Sequence, residues 1–363
     1  MRKYLKRTYL DARGAVLKAF YPLLPAVNFF PGKEDIKSIL LIRKDRIGDV
    51  VLSTPAMKAV REAFPAAKIT VLLAPGTKGL LSGAGFIDEI ITDDAGSVLS
   101  KGAYDLACDL HLDHTLGTAM NAFRSRARFR LGYDINGRGL FFNIRVVPDG
   151  KRKHFIDETA DLLKAIGVRI KDRKPSIAVD PGREEAVGGF LEKNGVRSGD
   201  TLITLHPGGF YPTQRWPAAR YRELFERIQK GSSAKVVVIE GPGEKALTEE
   251  MTVQPEQGLI VFRERPLNDT VALIRRADLF IGNNSGPLHI ASALGTPTVS
   301  IMGPTVPERW SPVGDNNTVL RYDAECSPCN DGRCLRKDHL CMTMISVDEV
   351  YRAAREFLPK KFV

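Results

Sequence analysis

The sequence predicts an α/β protein built from two doubly wound, Rossmann-like domains. Short apolar runs such as ILLIR, TLITLH and KVVVIE alternate with segments whose apolar residues recur at helical spacing. Glycine-rich turns follow several of these runs, at Gly208-Gly209, at Gly241-Pro242-Gly243 and at Gly282-Asn283-Asn284-Ser285-Gly286. The 363 residues are enough for two cores of ordinary size. Strands alternating with helices favour a largely parallel sheet in each half, and ligands of such sheets gather beyond the carboxyl ends of the strands. The loops at 45–50, 206–216, 240–244 and 283–289 are therefore expected to face one another across a cleft.

Taken in order, residues 1–34 form a basic leader in which Tyr4, Leu5, Tyr9, Val16, Leu17 and Phe20 interleave with Lys and Arg, the pattern of an amphipathic helix on an anionic membrane surface or on the body of the protein. The first domain, 35–180, opens on a strand at 36–43. Asp49 follows at its end, where a reactive carboxylate would sit, and Thr54 and Pro55 read as N-cap and first position of a helix reaching Phe64. Strands follow at 68–73, around DEIIT and at 105–110. Arg124, Arg126, Arg128 and Arg130 alternate, which on one extended strand would align four guanidinium groups for an anionic acceptor. A helix from His154 and a linker close this domain.

The second domain, 181–345, repeats strand, glycine turn and helix. A helix begins at Pro217 and ends at Gly231, strands lie in KVVVIE and LIVFRE, and DLFIG leads into the GNNSG turn. Pro287 near the first turn marks a helix opening there, so free N–H groups and a positive dipole end suit a phosphate or diphosphate. Ser285 and His289 would add donors. A helix within 346–363 ends the chain.

The net charge of +10 favours an anionic partner, and with no spanning apolar run and no signal-peptide pattern the protein is expected in the cytoplasm. The clustered Cys326, Cys329, Cys334 and Cys341 could as thiolates hold a structural zinc, but their spacing lacks two paired knuckles.

The pieces RxxxxGDVVLSTPAMKAVREAFP (43–65), HPGG with RWP (206–217), GNNSGPLHIASALGTPTVSIMGP (282–304) and the late CSPC…C…CM segment resemble glycosyltransferase family 9, the ADP-heptose:lipopolysaccharide heptosyltransferases. The resemblance implies the GT-B architecture, with acceptor on the first domain and nucleotide sugar on the second, and inverting transfer without a required metal or other cofactor. It implies Asp49 as the base. Gly208, Gly209, Gln214, Arg215, Glu244, Asn284, Ser285, Gly286 and His289 are expected at the donor, and Arg46 with the arginine row at an anionic glycolipid acceptor near the inner membrane surface. Family members carry lysine where Gln214 stands, and many carry aspartate where Asn284 stands. Competing readings are a sugar-nucleotide epimerase, a noncatalytic relative and a basic nucleic-acid-binding protein; against the last, aromatic residues for base stacking are not interleaved with the arginines.

Overall fold

The computed structural model describes the chain except for residues 1, 25, 28–29, 93–98, 100–103, 252–258 and 359–363 and the side chains of residues 2–4. It divides into two compact units, Met1–Arg173 and Lys174–Val363.

The first unit carries helix α1 (Arg2–Lys18) and a six-stranded parallel sheet. Its strands are β1 (Ser38–Arg43), β2 (Lys68–Leu73), β3 (Glu89–Thr92), β4 (Leu106–Asp109), β5 (Phe129–Tyr133) and β6 (Ile144–Val146), in the order β3-β2-β1-β4-β5-β6. Strand β1 is central because Ile39 to Ile42 are apolar on both faces and fully buried, as a parallel strand covered on each side requires. Each such side chain contributes about 1.5–3 kcal/mol relative to exposure.

Helix α2 (Ile47–Ala63) begins eight residues before the expected first position, Pro55, so Pro55 lies inside it rather than at its first turn. The helix tolerates the proline because Thr54 Oγ1 donates to the Val51 carbonyl at 2.7 Å, the acceptor that a residue with an N–H at position 55 would have used. Helix α3 (Leu116–Arg124) lies between β4 and β5, and α4 (Phe155–Lys164), N-capped by His154, follows the sheet.

The second unit has α5 (Pro181–Lys193), β7 (Leu202–His206), α6 (Ala218–Gly231), β8 (Lys235–Glu240), α7 (Lys245–Met251), β9 (Ile260–Arg263), α8 (Leu267–Arg276), β10 (Leu279–Asn283), α9 (Gly286–Leu294), β11 (Thr298–Ile301), α10 (Pro307–Trp310), β12 (Asn317–Leu320), α11 (Leu340–Thr343) and α12 (Val347–Arg355). Its parallel sheet runs β12-β11-β10-β7-β8-β9, winding outward in both directions from β7 and β10. One core joins sheet and helices: Trp216 stands edge-on to Tyr221 at 5.0 Å, donates from Nε1 to Ile345 O, and packs with Leu224, Val350 and Met342. Helix α12 packs on α6 in this core. The sequence reading lacked β6 and β12, whose three and four residues are only partly buried and show no clear apolar run.

Candidate active site

In the first unit the carboxyl edge of the sheet gathers a buried charge cluster. Asp49 sits in the first turn of α2, not in a loop beyond the strand, and is 7% exposed. Its Oδ1 lies 3.4 Å from Arg43 Nη2 and its Oδ2 3.6 Å from Arg46 Nε. Arg43 ends β1 at 1% exposure, stacks over the Phe155 ring at 4.6 Å and donates to Leu110 O at 2.6 Å. It also pairs with Asp45 at 3.1 Å. Asp49 thus presents a carboxylate in the first turn of a helix, between two guanidinium groups.

Behind this pair lies a second group that the sequence reading missed. His111, just past the end of β4, is 2% exposed. Its Nδ1 lies 2.5 Å from Asp109 Oδ1, and its Nε2 accepts the Lys44 N–H at 3.2 Å, which fixes the Nδ1–H tautomer. Asp109 also receives Arg138 Nη2 at 2.5 Å, and Arg138, itself fully buried, donates to the His111 and Asp113 carbonyls. Burial alone would push the Asp109 carboxyl up, but His111, which hydrogen-bonds it from Nδ1 and from its backbone N–H, and the Arg138 guanidinium outweigh it and hold the carboxyl at about 2. Burial holds the Asp45 carboxyl above its ordinary range despite Arg43 and His111. The motif RKDRIGD and the later DLHLD each hinted at polar residues after a strand, but pairing β1 with β4 is what brings them together.

The arginine row is corrected. Arg124 ends α3, Arg126 turns the chain with φ of 55°, Arg128 precedes β5 and only Arg130 lies on a strand. These residues lead into the amino end of β5, whereas Asp49 stands at the carboxyl edge of the same parallel sheet. Arg130 is further occupied by the Phe141 and Ala127 carbonyls. Arg46 alone of the expected acceptor residues is beside Asp49. On that carboxyl edge a groove of about 410 Å³ is lined by Tyr133, Ile135, Val146, Lys151 and Lys153, among others.

In the second unit the expected donor residues converge at the carboxyl edge of the other sheet. Helix α9 starts at Gly286 with Ser285 at its N-cap, yet the Ser285 side chain makes no cap bond. Its hydroxyl instead meets His206 Nδ1 at 3.0 Å. His206 Nε2 lies 3.3 Å from Glu244 Oε2, and that oxygen accepts the Gly241 N–H at 2.8 Å. Burial would raise the Glu244 carboxyl, but His206, the Gly241 N–H and the Arg215 charge together hold it below its ordinary value. The carboxylate lies over Gly208, where a Cβ would overlap it unless the Glu244 side chain moved.

Gly209 accepts from Arg215 Nε at 3.0 Å, and Gln214 caps its own turn by accepting the Tyr211 N–H at 3.3 Å. Asn283 was not singled out as a site residue. It is fully buried and ties the two loops together, donating to Pro207 O and Gly208 O at 2.8 and 2.9 Å and accepting the Trp216 N–H at 3.0 Å. Asn284 and His289 are buried beside it in sequence, and the Trp310 ring stands 6.3 Å from that of His289. Trp216 itself belongs to the core. The arrangement offers first-turn N–H groups, hydroxyl, imidazole and guanidinium groups at one sheet edge, a donor set suited to a diphosphate.

The four clustered cysteines are free thiols that line, with Thr213 and His339, a cavity of about 10 Å³ beside this loop. Burial and the neighbouring sulfurs raise Cys341 to about 11. Among the described residues no three metal-binding side chains are gathered closely enough to hold an ion.

Comparison with known proteins identifies a family and a fold. The family model for glycosyltransferase family 9 (heptosyltransferase) matches residues 95–339. Lipooligosaccharide heptosyltransferase 2 of Haemophilus influenzae is 26% identical over 318 residues, covering 78% of this chain and 88% of its own. Among solved structures, E. coli ADP-heptose LPS heptosyltransferase II aligns with a TM-score of 0.75 at 21% identity, covering 90% of this chain and 100% of its own. E. coli heptosyltransferase WaaC, solved with ADP-2-deoxy-2-fluoro heptose, aligns at 0.67 and 17% identity over 88% of this chain and 100% of its own. The structural likenesses establish the fold class, the GT-B type with two Rossmann-like domains. Because the family model covers well over half of the sequence, the chain belongs to glycosyltransferase family 9, the heptosyltransferases.

Proposed function

We propose that the protein transfers a heptose from ADP-heptose to an anionic lipopolysaccharide-core or related glycolipid, with inversion and without a required metal ion, at the cytoplasmic face of the membrane. Asp49 takes the proton of the acceptor hydroxyl as its oxygen attacks the anomeric carbon. The bond from that carbon to the diphosphate oxygen breaks, and the electron pair leaves with ADP. Ser285, Gly286 and His289 at the start of α9, with Arg215, stabilise the charge that develops on the leaving group. Gln214 carries no charge, and its carbonyl is used by the Tyr211 N–H, so Arg215 takes the cationic role. Glu244 and Gly208 admit the ribose by close approach of backbone and carboxylate.

The observation that carries this reading is the chain from the half-buried Ser285, the N-cap of α9, through the buried His206 to the buried Glu244. It fixes polar groups around an uncapped helix end, where an anion is the fitting occupant. The relative solved with an ADP-sugar analogue supports the choice of donor. Calorimetry with ADP tests the donor half: binding that weakens at least tenfold in Ser285→Ala and Arg215→Ala supports it. Heat-silent mixing at millimolar ADP would remove nucleotide from the reading.

A further inference from the structure

Helix α1 precedes the sheet and is fastened along one side. Arg13 donates to Asn136 O at 3.1 Å and to His114 O at 2.7 Å. Gly14 is buried where a Cβ would meet the Asn136 backbone at 3.1 Å, and Leu17 packs on Gly137. Past its end, Tyr21 donates to Asp134 at 2.5 Å and lies beneath the Arg145 guanidinium at 4.2 Å. The helix is therefore a fixed part of the first unit.

A different side of the same helix is apolar and open. Leu5, Tyr9, Ala12 and Val16 fall at i, i+4, i+7 and i+11, one continuous stripe, and Leu5, Tyr9 and Val16 are 60%, 63% and 61% exposed. Phe20 and Leu23 are also exposed just beyond the helix end. Isolated exposed apolar residues need no cause, but a row of three large ones along a docked helix does. Residues 2–18 contain six basic side chains, at positions 2, 3, 6, 7, 13 and 18, against the single acidic Asp11. Lys6, Arg7 and Lys18 are exposed, and Arg7 meets Asp11 at 4.0 Å.

We infer that α1 is a membrane-docking element that seats its Leu5, Tyr9 and Val16 stripe in the interface of an anionic lipid bilayer. An apolar stripe on a strongly basic helix whose other side is anchored to a folded domain suits a surface with acyl chains below and negative charge at its level. Long lysine and arginine stems reach outward from such a position to the headgroups. A second copy of the chain fits less well, because self-pairing would bring two helices of excess positive charge together on a molecule already at +10. No helix among the described residues is long and apolar enough to cross a membrane, so docking is along the surface. This goes beyond the transfer reaction, since binding to lipid is measured without donor or acceptor.

The test is co-sedimentation of the full chain with vesicles of phosphatidylcholine alone or mixed with phosphatidylglycerol. The wild type should pellet with the mixed vesicles at least about tenfold more tightly than with neutral ones, and raising the salt should weaken this. The triple variant Leu5→Gln, Tyr9→Gln, Val16→Gln keeps good helix formers at exposed sites, so its circular dichroism and ADP binding should match wild type. Its partitioning should fall on the order of 100-fold. The inference is overturned if wild type stays in the supernatant with both vesicle types, or if the triple variant pellets as wild type does. A wild-type dimer in sedimentation velocity that the triple variant abolishes, without vesicle binding, would instead assign the stripe to a second copy.

Discussion

Asp109 shows how much of the first unit rests on single charged side chains. It is fully buried, and its carboxyl, ordinarily at 3.8, is held at about 2 against the cost of burial by His111 and Arg138. A folded-state value below the unfolded one stabilises fully above the unfolded value and is lost as pH falls through the folded value. Asp109 should thus add about 2 kcal/mol at neutral pH, fading between about pH 4 and pH 2. Denaturant titration of wild type and Asp109→Asn at several pH values checks this: the stability gap should narrow over that window. A gap independent of pH would mean that packing rather than charge explains the residue.

In the second unit, Gly208→Ala forces a methyl group into the space of the Glu244 carboxylate. ADP affinity is expected to drop at least tenfold, or about 1.4 kcal/mol, while the far-ultraviolet dichroism is kept. Unchanged affinity would place the nucleotide away from this turn.

At the level of elements, α9 ends on Gly295 with φ of 78°, the left-handed region where a side chain is strained. Gly295→Ala should cost about 1 kcal/mol in urea unfolding without altering the dichroism. No loss would mean that the helix end relaxes freely. Other elements were legible in the sequence because their signals are local: the apolar runs of β1, β7 and β8 and the spacing along α6. Helix α2 was not, since Pro55 reads as a start and only the Thr54 hydroxyl bond explains its place inside.

The arginines at 124 to 130 alternate like a strand, but a helix end and a left-handed turn at Arg126 intervene. Asn283 and His111 escaped as site residues because their importance is nonlocal. Asn283 joins two loops from 67 and 76 positions away, and His111 reaches Lys44 over a separation of 67. Asn283→Ala should accordingly lower both the melting temperature and ADP affinity, as calorimetry of the two properties would register. A change in neither would contradict its role as a clamp.

For the whole molecule, the division of labour follows from two parallel sheets that each present their chemistry at the carboxyl edge of the strands. On the proposed reading, the first contributes the Asp49 carboxylate and the second the start of α9 with the Ser285, His206 and Glu244 side chains. ADP at 100 times its dissociation constant should then raise the stability of the unit that binds it by about 2.7 kcal/mol. Differential scanning calorimetry should place that gain in the transition that Ser285→Ala makes insensitive to ADP. A gain that survives the substitution would locate the nucleotide elsewhere.

The most direct test of the central claim is ADP release from ADP-heptose and a lipopolysaccharide-core acceptor by wild type and by Asp49→Asn, with ADP affinity measured alongside. With Asp49 as base and the nucleotide in the second unit, turnover should fall by about 10²–10⁴-fold while ADP affinity stays unchanged. Turnover close to wild type in the variant, or ADP affinity lost together with turnover, would contradict it.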